Sequence, residues 1–262
     1  MNVMTRRTGR FPLRLDQMKG SGGCGGTTVL TDQGTSATPV GLGMDSDHFR
    51  LRMVQRLREG GITHRGVLVA MTTIRRHDFL DSALAVQAYE DTSLPIGHGQ
   101  TISKPSVVAR MLELLFDGAG ARQSQRLGRV LEIGTGCGYQ AAVLALLSTG
   151  VVSIERVRLL HDRARELLAG VHRDNVRLVY GDGMRGHLPN APYDSIIAAA
   201  GGDDVPQAWL EQLAPGGRLV VPARRPGAKG QVLVVADRHG EDLRENVFEA
   251  VNFVPLKSGV VA

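Results

Sequence analysis

Cysteine and aromatic residues are scarce in this sequence, and long apolar runs are missing. Its 262 residues include two Cys, one Trp, four Tyr and six Phe. Cys24 and Cys137 lie far apart and neither has a CxxC partner. That pattern excludes a zinc knuckle or a disulfide framework and points to a reducing, intracellular home. The apolar stretch Ala141–Leu147 is far shorter than the roughly 18–20 residues needed to cross a bilayer. A large excess of one charge is also missing. There are 31 basic and 26 acidic residues, a formal net charge of +5, and residues 1–43 hold five of the basic and two of the acidic ones. The remainder is close to neutral, which argues against a broad phosphate-binding face. Neither nucleic acid nor a membrane is expected as a partner, no metal is expected, and a cytoplasmic location is.

What is present is ample core material: 42% of residues are hydrophobic, which rules out wholesale disorder. The length suits one domain of about 200 residues with a tail. Residues 1–43 contain nine Gly, including the run Gly20-Ser-Gly-Gly-Cys-Gly-Gly26, and no secretory apolar core. Such a segment cannot bury enough side chain to offset its ordering entropy. It reads as a disordered, Gly-rich basic extension, or as the product of an early start codon ahead of Met44. A targeting or nucleic-acid-binding arm is the functional alternative.

Residues 44–120 read as a helical N-terminal region and 121–262 as an α/β domain, with 44–262 one catalytic unit. Asp45–Glu59 has helical spacing behind an Asp/Ser cap, and Gly60-Gly61 stops it. Gly66–Ile74 reads as a second helix and 88–103 as a loop. A further helix starts at Lys104-Pro105, where a missing N–H costs little. Beyond residue 121, strands at Arg129–Ile133, Val151–Glu155, Val176–Tyr180, Ser195–Ala199 and Arg218–Val221 alternate with helices at Tyr139–Leu147, Leu159–Leu168 and Pro206–Leu213. That alternation implies a doubly wound, mostly parallel sheet. Gln231–Ala236 and Asn246–Val254 read as a closing antiparallel hairpin.

The chemistry starts at Val130-Leu-Glu-Ile-Gly-Thr-Gly-Cys-Gly-Tyr139, a strand running into three spaced glycines and then a helix. Glycine permits a tight turn and close backbone approach to a ligand. Glu155 ends the next strand, where a carboxylate can accept both hydroxyls of a ribose. Asp182, in Gly181-Asp-Gly183, could accept the amino group of an adenine, with Gly183 leaving room for the ring; an ordinary Asx turn is the alternative. The E-x-G-x-G-x-G spacing, with Glu132 inside the strand, resembles the S-adenosylmethionine-dependent methyltransferases rather than the dinucleotide fingerprint.

Upstream, Leu94-Pro-Ile-Gly-His-Gly-Gln-Thr-Ile-Ser103 closely resembles the signature of the protein-L-isoaspartate (D-aspartate) O-methyltransferases. So do residues 131–145, Gly181–Gly183, the run 210–222 and Val251-Asn-Phe-Val-Pro-Leu256. In order, these cover essentially all of 45–257; the extension has no counterpart in the pattern. The resemblance implies a Rossmann-like fold with a helical N-terminal lid and a C-terminal hairpin. It implies transfer of a methyl group from S-adenosyl-L-methionine, leaving S-adenosyl-L-homocysteine, to the free α-carboxylate of isoaspartyl residues in damaged peptides and proteins. A monomer is expected.

Residue by residue, the family's catalytic serine falls on Ser103, which by itself reads as a helix N-cap. Ile96, Gly97, His98, Gly99, Gln100 and Thr101 match the loop over the cofactor, although His98 alone reads as structural. Glu132 and Gly134 match contacts to the methionine end, Glu155 with Arg156 the ribose end, and Thr135, Gly136 and Gly138 the glycine loop. Asp182 and Gly183 would face the adenine. Ile102, Ser103, Val254, Pro255 and Leu256 match the peptide side. Several residues depart from the bacterial pattern: Lys104 and Ser106 replace Gln and an aromatic, Gly201–Asp204 replaces an Ala/Pro-rich turn, and Ala223-Arg224 replaces Val/Ile-Gly. Cys137, standing for a small hydroxyl residue, is expected to be buried and inert. Two other readings stay open: a methyltransferase for a small molecule or RNA, and a catalytically weak cofactor-binding homologue.

Overall fold

The computed structural model describes residues 45–171 and 174–262; the expectations for 1–43, Cys24 included, lie outside the described residues. Helix α1 (Asp45–Glu59) buries Met53, Val54 and Leu57, while Phe49 stays largely exposed. Helix α2 (Arg65–Thr73) is held at its start by a buried carboxylate: Glu113 Oε1 accepts the Thr63 and His64 N–H groups at 2.7 and 2.9 Å. Two 3₁₀ turns follow, Arg76–Phe79 and Ser82–Gln87, where no element was expected.

The expected loop 88–103 contains a small hairpin, β1 (Leu94–Gly97) with β2 (Gln100–Ile102). Leu94 and Ile96 point inward while Pro95 and Gly97 face out, a period-2 pattern too short to stand out among Gly and Pro. The turn needs two left-handed residues, and His98 (φ 54°) and Gly99 (φ 67°) supply them. Buried Arg76 braces the approach to the hairpin, donating to the Ala88 carbonyl at 2.8 Å and stacking its guanidinium over the Tyr139 ring at 5.1 Å.

Helix α3 (Pro105–Phe116) follows, then a short α4 (Ala119–Ser124) that the sequence reading lacked. The sheet comprises β3 (Arg129–Ile133), β4 (Gly150–Glu155), β5 (Val176–Tyr180), β6 (Tyr193–Ala198), β7 (Leu213–Arg224), β8 (Gln231–His239) and β9 (Asp242–Val251). Its helices are α5 (Tyr139–Leu147), α6 (Arg158–Gly170) and α7 (Gln207–Glu211). Strand order is β5-β4-β3-β6-β7-β8-β9, with β5 through β7 mutually parallel and β8 and β9 antiparallel. The expected architecture is the one observed.

Helix α7 is shorter than expected, and β7 begins at Leu213 instead of Arg218. Leu213 pairs with Tyr193, residues 214–217 loop out, and the ladder resumes at Arg218 opposite Ser195. Gly217 makes this possible: a Cβ there would lie 2.8 Å from the Ala214 carbonyl oxygen and 3.0 Å from that of Asp194. Strand β8 runs three residues past Ala236, since Asp237–His239 pair with Asp242–Arg244 despite their polar side chains.

Alternate residues of the buried parallel strands pack on opposite faces. Val130, Val151 and Ile197 join α2, α3, α5 and α6 in one core; Leu131, Ile133, Ile154 and Ile196 join Trp209, Tyr193 and Leu213 in the other. The chain leaves β3 through α5 toward β4, but leaves β6 through α7 toward β7 on the opposite side. The carboxyl ends of β3 and β6 therefore form a topological switch point, where open α/β sheets bind ligands.

Candidate functional site

A cleft of about 380 Å³ opens at that switch point, walled by the glycine loop, the β1–β2 hairpin, the ends of β4 and β6, and residues 254–257. Its volume falls within the roughly 300–1,000 Å³ of small-molecule sites. Gly134 (φ 90°) and Gly136 (φ 56°) adopt backbone conformations that a side chain would strain, and a Cβ on Gly136 would press Ile96 Cδ1 at 3.1 Å. Glu155, 5% exposed, fastens the loop: Oε2 accepts the Gly136 N–H and Oε1 the Val157 N–H, each at 2.9 Å.

Fifteen of the residues singled out in the sequence line this cleft: Ile96, His98, Gln100, Thr101, Ile102, Ser103, Gly134, Thr135, Gly136, Glu155, Arg156, Gly183, Val254, Pro255 and Leu256. Five do not. Gly97 and Gly99 shape the hairpin with positive φ, and Gly138 opens α5 against Leu168. Asp182 takes the Asx-turn alternative: Oδ1 accepts Met184 N–H at 3.0 Å and Oδ2 accepts Gly259 N–H at 2.8 Å. Gly183 also packs tightly beneath the cleft, since a Cβ there would meet Ile133 Cγ2 at 2.6 Å.

Glu132 is the sharpest departure. It is fully buried below the cleft, where Oε2 accepts the Ser153 hydroxyl at 2.5 Å and Ser153 in turn meets Thr135 Oγ1 at 2.6 Å. Burial pushes its carboxyl up to about 8, against the Ser153 hydrogen bond that favours the charged form. Glu132 Oε1 and Gln140 Nε2 are both buried without a hydrogen-bond partner. Gln140 lines the cleft but was not among the expected residues; nor were Ala199, Ala200, Lys257 and Val261. A Gln two residues past the last glycine of the loop was a readable signal, whereas the others arrive by tertiary folding. Cys137 is buried with a free thiol that burial pushes up, as an inert role requires.

Ser103 stands where this cleft meets a second cavity of about 520 Å³, formed by Lys104, Val107, Ala250 and Phe253 among others. Thr101, Ser103, Ala199 and Val254 line both. Ser103 is not the helix cap: Lys104 holds that position and makes no capping hydrogen bond with its side chain. The first turn of α3 is instead capped by Asp91, which accepts the Ser106 N–H at 2.9 Å and the Ser106 hydroxyl at 2.8 Å. The other departures also pair up. Gly201 exchanges main-chain bonds of 2.9 Å with Val254 and Leu256, while Asp203 meets Arg224 and Asp204 meets Arg225.

A sequence profile of the family described as protein-L-isoaspartate(D-aspartate) O-methyltransferase (PCMT) matches residues 49–261. The chain belongs to this family. A protein-L-isoaspartate O-methyltransferase of Methylibium petroleiphilum is 57% identical over 99% of both chains, and one of Leptothrix cholodnii is 63% identical over 88% of this chain and 81% of its own. The family profile begins at residue 49, as expected of an extension outside the pattern, and the first relative's match takes in nearly all of residues 1–43 as well. A solved protein-L-isoaspartate O-methyltransferase superposes with a TM-score of 0.71 at 29% identity, covering 80% of this chain and 67% of that one. A Plasmodium falciparum family structure in complex with S-adenosyl-L-homocysteine shares the fold, with a TM-score of 0.67 at 22% identity over 79% of this chain and 98% of its own.

Proposed function

We propose that this family member methylates the free α-carboxylate of L-isoaspartyl, and also D-aspartyl, residues in damaged proteins. The observation that carries the reading is Ser103 at the common wall of two cavities, one built on the glycine loop and Glu155 and the other beside exposed Lys104. When bound, S-adenosyl-L-methionine supplies an electrophilic methyl group on a positively charged sulfur. Glu155, with a lone pair left on each oxygen, would hold the ribose hydroxyls. The orphan donor of Gln140 suits the carboxylate of the amino-acid end. Gly134 and Gly136 let the backbone close in from below, and Ile96, His98, Gln100 and Thr101 would close from above.

The substrate carboxylate is already ionised at pH 7, so no general base is required. Ser103 donates a hydrogen bond to it and aims the oxygen; exposed Lys104, on the substrate side, attracts the anion. Ile102, Val254, Pro255 and Leu256 exclude water, and alignment of this kind contributes several kcal/mol. The product ester is uncharged and loses its hold on Lys104, which favours release. We read the protein as a cytoplasmic monomer acting without nucleic acid or metal; no described helix is long and apolar enough to cross a membrane.

Incubation with labelled S-adenosyl-L-methionine and matched isoaspartyl and aspartyl peptides tests this. Base-labile label on the isoaspartyl peptide alone is expected. Label confined to RNA or a metabolite, or cofactor binding without transfer, would sink the reading. Ser103→Ala should lower kcat about 10- to 100-fold, the worth of one hydrogen bond to a charged group, with cofactor affinity intact by calorimetry.

A further inference from the structure

Beneath the glycine loop a buried acid is wired to the cleft. Glu132 is fully buried on β3, between β4 and β6. Its register partner on β4 is Ser153, whose Oγ meets Glu132 Oε2 at 2.5 Å, and Thr135 Oγ1 meets Ser153 Oγ at 2.6 Å. Thr135 belongs to the cleft wall. Three side chains thus connect a carboxyl sealed in the sheet to the ligand's side of the loop.

The chain of hydrogen bonds has a direction, because each hydroxyl has one proton to give. With Glu132 ionised, Ser153 donates to Oε2 and Thr135 donates to Ser153. Both protons are then placed, and Thr135 Oγ1 keeps lone pairs to offer. With Glu132 protonated on Oε2, both bonds reverse, and the Thr135 proton needs a further acceptor. A proton on Oε1 would go unbonded, since that atom has no partner among the described residues. The protonation of Glu132 is therefore expressed at the cleft wall as the polarity of Thr135.

Charge decides which polarity holds. Burial favours the neutral acid and lifts the carboxyl to about 8. Glu155, at the end of β4, adds to that lift, while Gln140 of α5 brings an uncharged amide and Ile197 of β6 an apolar side chain. Without ligand, Glu132 is thus neutral at pH 7. S-adenosyl-L-methionine carries a sulfonium and an ammonium against a single carboxylate, and a cation held at the glycine loop favours an ionised acid beneath it.

We infer that Glu132 is a charge-sensing positioning residue. On binding of S-adenosyl-L-methionine it gives up its proton to solvent, the Ser153–Thr135 bonds reverse, and Thr135 is turned to accept at the cleft wall. Methyl transfer removes the sulfonium charge, so Glu132 takes a proton back from solvent and the site tells cofactor from product by charge.

Calorimetric titration of the wild-type protein at pH 7, in two buffers of different ionisation enthalpy, counts the protons released. About one proton per S-adenosyl-L-methionine is expected, and fewer with S-adenosyl-L-homocysteine. From pH 6 to 7 the Kd for S-adenosyl-L-methionine should fall about 3- to 10-fold. Glu132→Gln, which cannot ionise, should show neither the release nor the pH dependence, its thermal midpoint reporting that it folds. Ser153→Ala removes the donor that favours the charged form, so the release should move to higher pH. No release by the wild type, equal release with both ligands, release undiminished in Glu132→Gln, or an unmoved release in Ser153→Ala overturns the inference. Only the cofactor and its product enter these titrations, so their outcome is independent of which carboxylate the enzyme methylates.

Discussion

At Glu132, desolvation outweighs the Ser153 hydrogen bond and holds the carboxyl up at about 8. The unfolded chain ionises this group near its ordinary value, so between about pH 4.5 and 8 the unfolded state sheds a proton that the fold retains. Stability contributed by the protonated group is present at low pH and erodes as pH rises through that window. Glu132→Gln removes the dependence. Its thermal midpoint should gain on the wild type progressively from pH 5 to 8 and level off above, by an increment on the order of a few kcal/mol; a constant difference across pH would refute the burial argument. Gly183→Ala should cost about 1–3 kcal/mol by overpacking Ile133, read as a shift in denaturant midpoint. Both residues were visible in the sequence as parts of motifs. Their roles were not, because a motif records which residue types stand in order and not which of them reach the cavity.

The N-terminal turn of α3 shows the same limit one level up. Pro105 at an early helical position marked the start of the helix, and it starts there. Its cap comes from Asp91, 15 positions earlier, which no local pattern could single out. The Asp91–Ser106 clamp ties the segment before the hairpin to the helix after it, and so fixes the two ends of the piece carrying Ser103. Asp91→Ala should cost about 1 kcal/mol, as cap removals do, and lower Tm by about 2–4 °C. Because the clamp positions Ser103 without touching the substrate, kcat should fall while cofactor affinity stays, and Asp91→Asn should recover part of the loss. The departures at Gly201–Asp204 and Ala223-Arg224 looked independent in sequence. In the fold they face one another, with Asp203 on Arg224, Asp204 on Arg225 and Arg225 also on Glu245. Exposed pairs of this kind add little stability, so Asp203→Ala should leave Tm within about 1 °C in a thermal melt.

Across the molecule, the cleft is closed by parts distant in sequence. Val261 forms a parallel bridge with Val157, Arg156 donates to the Ser258 and Gly259 carbonyls, and Asp182 receives the Gly259 N–H. Residues 257–261 thus strap the ends of β4 and β5 together beside the cleft, with Lys257 and Val261 in its wall. Ligand held by this strapped state stabilises the whole fold. S-adenosyl-L-homocysteine at 100 times its Kd should add about 2.7 kcal/mol, and the thermal midpoint should rise by about 5–10 °C. Arg156→Ala, which frees Ser258 and Gly259, should speed ligand release measured by stopped-flow displacement; an unchanged rate would remove the strap from the account.

The sequence by itself determined the architecture, because strand and helix periods, turn glycines and parallel-strand burial are written locally and agree with one another. It also put the glycine loop and Glu155 side by side at the carboxyl ends of adjacent strands, which the alternation implies, whereas the hairpin residues were tied to them only by the resemblance. Only the tertiary structure decided that Glu132 and Asp182 stand back from the cavity and that Ser103 joins two cavities. Those outcomes depend on burial and on contacts between residues far apart in the chain. Burial is a property of what packs around a group, and no stretch of sequence carries it alone.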